Sequence, residues 1–219
     1  MKPVLTETLD GSHTLFLEEL GEHYHSTNGA IGESMHVFIR AGFEYCTKNK
    51  ISVFEAGFGT GLNALLTAIK SAELGRHTSY VTIEKHPLDR SIVNILNYPA
   101  ILSGDAPALF TAIHEASWNR NVPVNEYFEI MKIHDDLTGY MPDYMADVIY
   151  FDAFSPSRQP EMWSPGVIMR MADMLNPGGV FVTYSSMGQL KRTLRSSGLE
   201  VTLLPGAPGK REMIRAIKI

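Results

Sequence analysis

Four carboxylates in this chain stand beside the ends of apolar, β-leaning runs. Glu55 closes a run at residues 51–54, Glu84 ends one at 79–83, Asp135 follows one at 128–133, and Asp152 ends one at 147–152. In an open α/β sheet, ligands bind in the crevice outside the carboxyl ends of the strands, so acids at such ends are candidates for contact. An acid closing the second strand of a nucleoside-binding fold accepts hydrogen bonds from both ribose hydroxyls, and Glu84 is placed to do so. Asp135, in preference to Asp136, is placed to bond the amino group of an adenine. The bland alternative for each is a strand-end acid in solvent or capping a turn. Glu55 is followed by Gly57, Gly59 and Gly61 and then by a helical pattern over 62–69. Glycines let the backbone reach positive φ and approach a ligand closely, and the helix start offers unpaired N–H groups.

The spacing narrows the ligand. A dinucleotide turn needs glycine where Leu62 stands, and a phosphate loop needs a lysine after its last glycine. Glu55 would repel a phosphate and suits a cationic or zwitterionic ligand better. The stretch Glu55-x-Gly57-x-Gly59-x-Gly61 resembles motif I of S-adenosylmethionine-dependent methyltransferases; a glycine-rich βα turn without a ligand is the alternative.

The elements around these acids alternate. Residues 31–43 have helical spacing, with Gly42 suited to a C-cap. Pro87 can open a helix running to about residue 96; further helices are expected at 105–119, 162–175 and 189–196, the last closed by Gly198. Asn176-Pro177-Gly178-Gly179 reads as a turn before a fifth strand at 180–184, and residues 199–204 and 212–219 read as a final strand pair. This pattern predicts an α/β fold, a doubly wound, mostly parallel, Rossmann-like sheet of seven strands. Residues 1–50 form an N-terminal extension of hairpin plus helix, and residues 51–219 the main domain.

Composition sets limits. The chain has 219 residues, 44% of them apolar, enough for a full core. A single cysteine, Cys46, excludes an internal disulfide framework and a cysteine-rich zinc site. His23 and His25 have metal-pair spacing, but no third ligand stands near, and no metal is expected. The start, Met1-Lys2-Pro3 and then polar residues, shows no secretory signal, and no apolar stretch spans a membrane; a cytoplasmic protein is expected. The formal net charge is −5, yet residues 185–219 carry seven basic residues against two acids. That asymmetry fits a polyanionic partner or a solvated basic face.

Over most of its length the chain resembles the methyltransferase domain of the MnmC family. The resemblance rests on Asp10-Gly11-Ser12, Tyr24-His25-Ser26, Glu33-Ser34-x-x-Val37-Phe38, Phe58-Gly59-Thr60-Gly61-Leu62-Asn63, Glu84-Lys85-x-Pro87-Leu88, Asp152-Ala153-Phe154-Ser155-Pro156, Gln159-Pro160-Glu161-Met162-Trp163, Asn176-Pro177-Gly178-Gly179 and Lys210-Arg211-Glu212-Met213. It implies transfer of a methyl group from S-adenosylmethionine to the 5-aminomethyl group of the wobble uridine in tRNA, giving 5-methylaminomethyl(-2-thio)uridine. The cofactor set would be Glu33, Glu55, Gly57, Gly59, Gly61, Asn63, Glu84 and Asp135. The loop after Asp152 is similar in role to the Asp-Pro-Pro-Tyr loop of amino-methylating enzymes. By that likeness Asp152 would orient the target amine and take its proton, and Phe154 would wall or stack on the acceptor. Arg158, Lys191, Arg192, Lys210 and Arg211 would be first candidates for tRNA phosphates. Bifunctional members add an FAD-dependent oxidase domain that these residues do not include, so a separate enzyme would supply the aminomethyl substrate. Ala153, Ser155 and Ser157-Arg158-Gln159 depart from the bifunctional pattern. Methylation of a small-molecule or protein amine, and an inactive RNA-binding member of the fold, are the competing readings.

Overall fold

The computed structural model describes residues 3–219; Met1 and Lys2, on which part of the leader reading rests, lie outside the described residues. Strands β1 (Val4–Glu7), β2 (His13–Leu17) and β3 (Glu22–His23) form a small antiparallel sheet. Asp10 fixes the turn between β1 and β2, accepting from Thr8, Ser12 and, 2.9 Å away, the Gly32 N–H of α1 (Ala30–Ser34).

Helix α1 runs straight into a π-helix at Met35–Phe43 that buries Val37, Phe38, Ile39 and Phe43. Gly42 does not cap it, contrary to its sequence reading. It sits inside the helix against the sheet, where a Cβ would lie 2.9 Å from Val182 Cγ2 and 3.2 Å from the Tyr150 ring. The end falls at Glu44, whose N–H donates to the Ile39 carbonyl at 2.8 Å, five residues back.

The main sheet is built by β4 (Lys50–Ala56), α2 (Leu62–Leu74), β5 (His77–Glu84), α3 (Arg90–Val93), α4 (Tyr98–Leu102), α5 (Ala106–Glu115), β6 (Asn121–Pro123), β7 (Phe128–His134), β8 (Ala146–Phe151), α6 (Pro165–Asp173), β9 (Leu175–Thr183), α7 (Gly188–Ser196), β10 (Leu199–Pro205) and β11 (Glu212–Lys218). Its order is β10-β11-β9-β8-β4-β5-β7-β6. Strands β9, β8, β4, β5 and β7 are parallel, and β11, β10 and β6 run against their neighbours. Among the described residues this sheet has eight strands rather than seven, because the three residues of β6 add an edge too short to show a period. From β4 the chain winds outward through β5 and β7, then returns to lay β8 on the other side of β4. The crevice at the carboxyl ends of β4 and β8 is therefore the topological switch point.

Three other expectations change. The helix from Pro87 shrinks to α3, because Asn97 is drawn away to the N-terminal turn, accepting from His13 N and donating to the Gly11 carbonyl at 2.8 Å each. The helix of 162–175 is α6, starting at Pro165 after Ser164. Asn176–Gly179 is not a turn before a strand but a bulge within β9, where the partners of Ala146 and Val148 jump from Leu175 to Val180. Asp147 pins this bulge, accepting from Asn176 at 2.8 Å and Lys48 at 2.5 Å.

Leu15 and the buried π-helix residues pack in one cluster with Ile51, Val53, Leu65 and Val148, so β2 and the π-helix are continuous with the core. Among the described residues no helix is long and apolar enough to cross a membrane.

Candidate active site

A cavity of about 600 Å³ opens at the switch point, within the range of small-molecule sites. Its floor is the glycine turn. Gly57, Gly59 and Gly61 have φ of 96°, 51° and 73°, values that L side chains resist. At Gly57 a Cβ would also stand 2.9 Å from the Asp152 carbonyl oxygen, and at Gly59 3.2 Å from the Tyr24 ring. The glycines thus allow two neighbours to close on the turn.

The strand-end acids meet here. Glu84, Asp135 and Asp152 all line the cavity. Glu84 accepts from Gly59 N at 3.1 Å and His86 N at 2.7 Å, which joins it to the glycine turn. Asp136 is taken by Lys85 at 2.8 Å and by Thr138, and the Lys85 bond first of all holds its carboxyl down at about 2. Asp135 bonds only its neighbour's N–H among the contacts found, which favours it over Asp136 for a ligand.

Asp152 is half-buried in the cavity wall. Its Oδ2 accepts from Asn63 Nδ2 at 2.8 Å. Burial above all, with the Glu33 carboxylate next, pushes its carboxyl up to about 7, against the pull of Asn63 and Lys210. The loop behind it is braced: the Tyr184 hydroxyl donates to the Ala153 carbonyl at 2.8 Å and the Trp163 indole N–H to the Phe154 carbonyl at 2.7 Å. Ser155 donates through its N–H and hydroxyl to Glu22 of the N-terminal sheet. Phe154 lines the cavity and meets Tyr24 edge-on, ring centres 5.0 Å apart.

Leu17, Leu20, Tyr24 and His25 from the N-terminal segment also line the cavity. Sequence reasoning treated His25 only as a possible metal ligand and gave Tyr24 no role. Both stand in or beside a two-residue strand with no period of its own; the one signal was the Tyr24-His25-Ser26 motif. Burial pushes His25 down to about 4, so its ring is neutral near pH 7.

Three expected cofactor residues do not line the cavity: Gly61, where a Cβ would meet the His114 ring at 2.7 Å, and two acids. Glu55 is buried under the turn and does not line the cavity, because Thr82 draws its carboxylate toward β5 at 2.8 Å. Glu33 is also outside the lining, held by Lys210 at 2.6 Å and Ser26 N at 2.8 Å. That pairing withdraws Lys210 from the expected basic set; its ammonium also lies 3.7 Å from the centre of the Tyr184 ring. Arg158, Arg192 and Arg211 are exposed and Lys191 half-buried. Lys210 and Arg211 sit in the β10–β11 hairpin, and β11 begins beside the carboxyl end of β9, at the same end as Asp152.

Glu33 is 7% exposed and Lys210 34%. Lys210→Met, which leaves the acid buried and unpaired, is expected to cost about 2 kcal/mol. Arg192→Ala, at an exposed site, should stay within about 0.5 kcal/mol. Chemical denaturation of both variants checks this contrast, and equal midpoints would contradict it.

Comparison with known proteins places this geometry. Residues 119–219 match a family model described as S-adenosyl-L-methionine-dependent methyltransferase. The chain is 30% identical over 213 residues to the tRNA 5-methylaminomethyl-2-thiouridine biosynthesis bifunctional protein MnmC of Burkholderia thailandensis, covering 89% of this chain and 32% of that protein. It is 32% identical over 216 residues to the same-named protein of Pseudoalteromonas atlantica, covering 89% and 30%. The chain thus spans about a third of the length of the curated relatives it matches. The crystal structure of MnmC2 from Aquifex aeolicus superposes with a TM-score of 0.79 at 24% identity, covering 99% of this chain and 69% of that one. Spermidine synthase from Thermotoga maritima shares the fold more distantly, with a TM-score of 0.56 at 12% identity and 99% and 72% coverage.

Proposed function

We propose, from the premise that the chain belongs to the S-adenosyl-L-methionine-dependent methyltransferases, that it methylates the 5-aminomethyl group of the wobble uridine in tRNA. The observation that carries this reading is the Asp152 carboxyl, half-buried in the cavity wall beside the glycine turn and held by Asn63, with the touching aromatic pair Phe154 and Tyr24 lining the same cavity. The names of the MnmC relatives support the choice of acceptor.

The residues present fit the cofactor. Gly57 leaves out the Cβ that would fill the cradle, and two carboxylates, Glu84 and Asp135, face the cavity from adjacent strand ends. Glu84 would accept from the ribose hydroxyls and Asp135 from the adenine amino group. When bound, S-adenosylmethionine supplies a methyl group on a sulfonium centre. The chain's task is then to align an amine with that methyl and keep it unprotonated. Asp152, with Oδ2 held by Asn63, offers Oδ1 to the amine, orients its lone pair and takes the released proton. Phe154 and Tyr24 give the uracil ring an aromatic wall. Residues 1–50 act as an extension that roofs the acceptor side of the domain formed by 51–219.

Arg158, Lys191, Arg192 and Arg211 would contact tRNA phosphates, in a cytoplasmic setting where a separate enzyme supplies the aminomethyl group. The Lys191→Ala/Arg192→Ala double variant tests the acceptor class. Methylation of tRNA should fall about tenfold at moderate salt, with a shallower salt dependence than the parent's, while cofactor affinity measured by calorimetry holds. Unchanged tRNA methylation would remove this face from the site, and transfer to free amines alone would replace tRNA as the substrate.

A further inference from the structure

Each of the three residues after Asp152 is held at one backbone group by a side chain from elsewhere. The Ala153 carbonyl accepts from Tyr184, after β9, and the Phe154 carbonyl from Trp163, before α6. Ser155 instead donates to Glu22, the first residue of β3. The contact is forked. Ser155 N lies 3.2 Å from both Oε1 and Oε2 of Glu22, and the Ser155 hydroxyl donates to Oε2 at 2.8 Å. A carboxylate has the lone pairs to take both donors at once, and two bonds fix direction as well as distance.

Two further contacts run beside this one. Tyr24 meets Phe154 edge-on, ring centres 5.0 Å apart, and Arg158 Nη2 stands 3.5 Å from the Gly21 carbonyl oxygen. Gly21, Glu22 and Tyr24 thus lie along residues 154–158 as one seam. Strand β3 pairs with β2 only at Phe16–His23 and Leu17–Glu22, too short a ladder to hold its place alone. The seam therefore sets where β3 sits against the loop, and both of its rings, Tyr24 and Phe154, line the cavity. Glu22 itself does not line it.

We propose that Glu22 is a positioning residue for methyl transfer, acting through Ser155 to hold the loop of Asp152 and Phe154 against the N-terminal sheet. This role deepens the methyl-transfer reading and rests on it. Without Glu22 the loop keeps its Tyr184 and Trp163 bonds but loses its tie to Tyr24's segment, and the acceptor is presented to the methyl group in a wider range of orientations.

Glu22→Gln keeps an oxygen where Oε2 stands, able to accept from both Ser155 donors; Glu22→Leu keeps none. Glu22→Leu should lower kcat for tRNA methylation about tenfold, because misorientation of a bound acceptor costs rate, and Glu22→Gln should stay within about threefold. The KM for tRNA should hold within about twofold, since phosphate contacts supply most of the affinity. Calorimetry on Glu22→Leu should still count one S-adenosylmethionine site per chain; a merely structural loss would lower that count together with kcat. Ser155→Ala alone should lose about threefold, and Glu22→Leu/Ser155→Ala about tenfold rather than the about thirtyfold of independent residues. Hydrogen exchange gives a reading that needs no acceptor. The Ser155 amide should exchange about tenfold faster in Glu22→Leu than in the parent or Glu22→Gln, while Asp152 N–H, bonded to the Ala56 carbonyl at 3.1 Å, stays protected. Unchanged Ser155 exchange, a kept kcat in Glu22→Leu, a site count that falls with kcat, or independent losses in the double variant would each overturn the proposal. If tRNA is not the acceptor, the parent itself leaves tRNA unlabelled while the exchange contrast stands, so the two failures are separable.

Discussion

Asp152→Ala is expected to lower methyl transfer about a thousandfold while leaving the affinity for S-adenosylmethionine within about threefold. The asymmetry follows from where the side chain stands. Its Oδ2 is bonded to Asn63 inside the protein, and the neighbouring turn is shaped by backbone and by glycines that survive the substitution. What would be lost, on the proposed reading, is the group that accepts from the amine, an interaction needed only along the reaction path. Burial holds the Asp152 carboxyl at about 7, and only the ionised form can accept from the amine. The parent's kcat should therefore rise with pH through about 7, and Asp152→Asn should lack that acid limb. Single-turnover transfer and calorimetric cofactor binding on the same preparations check both points. Equal losses in rate and cofactor affinity would make Asp152 a cofactor ligand instead.

Glu84→Ala should act on the other axis, weakening cofactor binding roughly a hundredfold, with kcat at saturating cofactor changed little. The carboxylate lies at the end of β5 on the cavity wall and already accepts from Gly59 N and His86 N. On the proposed reading it would serve the ligand while it steadies the glycine turn. Glu84→Gln, which keeps one acceptor oxygen, should lose less than Glu84→Ala. Calorimetric titration with S-adenosylmethionine reads the difference, and unchanged affinity in Glu84→Ala would refute a ribose contact.

The strand ends were legible because their signal is local. Four of the five parallel strands, β4, β5, β7 and β8, are short apolar runs closed by an acid or by glycines, and the parallel fold carries those ends to one crevice. That is why Glu84, Asp135 and Asp152 meet around the cavity as expected. The misses involve partners far apart in the chain. Glu33 has the look of a site acid, but its partner is Lys210, and only the fold brings them to 2.6 Å. Glu22 grips the loop after Asp152 through Ser155 for the same reason. Gly42 looked like a helix stop, but its lack of a side chain serves contact with Val182 and Tyr150 on strands formed much later in the chain. Glu55 stands correctly before the glycines, yet strand alternation turns it under them, toward Thr82.

The decisive measurement is transfer of labelled methyl from S-adenosylmethionine to bulk tRNA that lacks the wobble modification, followed by nucleoside analysis. Label appearing in 5-methylaminomethyl-type uridine, and lost with Asp152→Ala, is the expected result. Cofactor binding with no label in tRNA, or label in any other nucleoside, would contradict methylation of the wobble aminomethyl group.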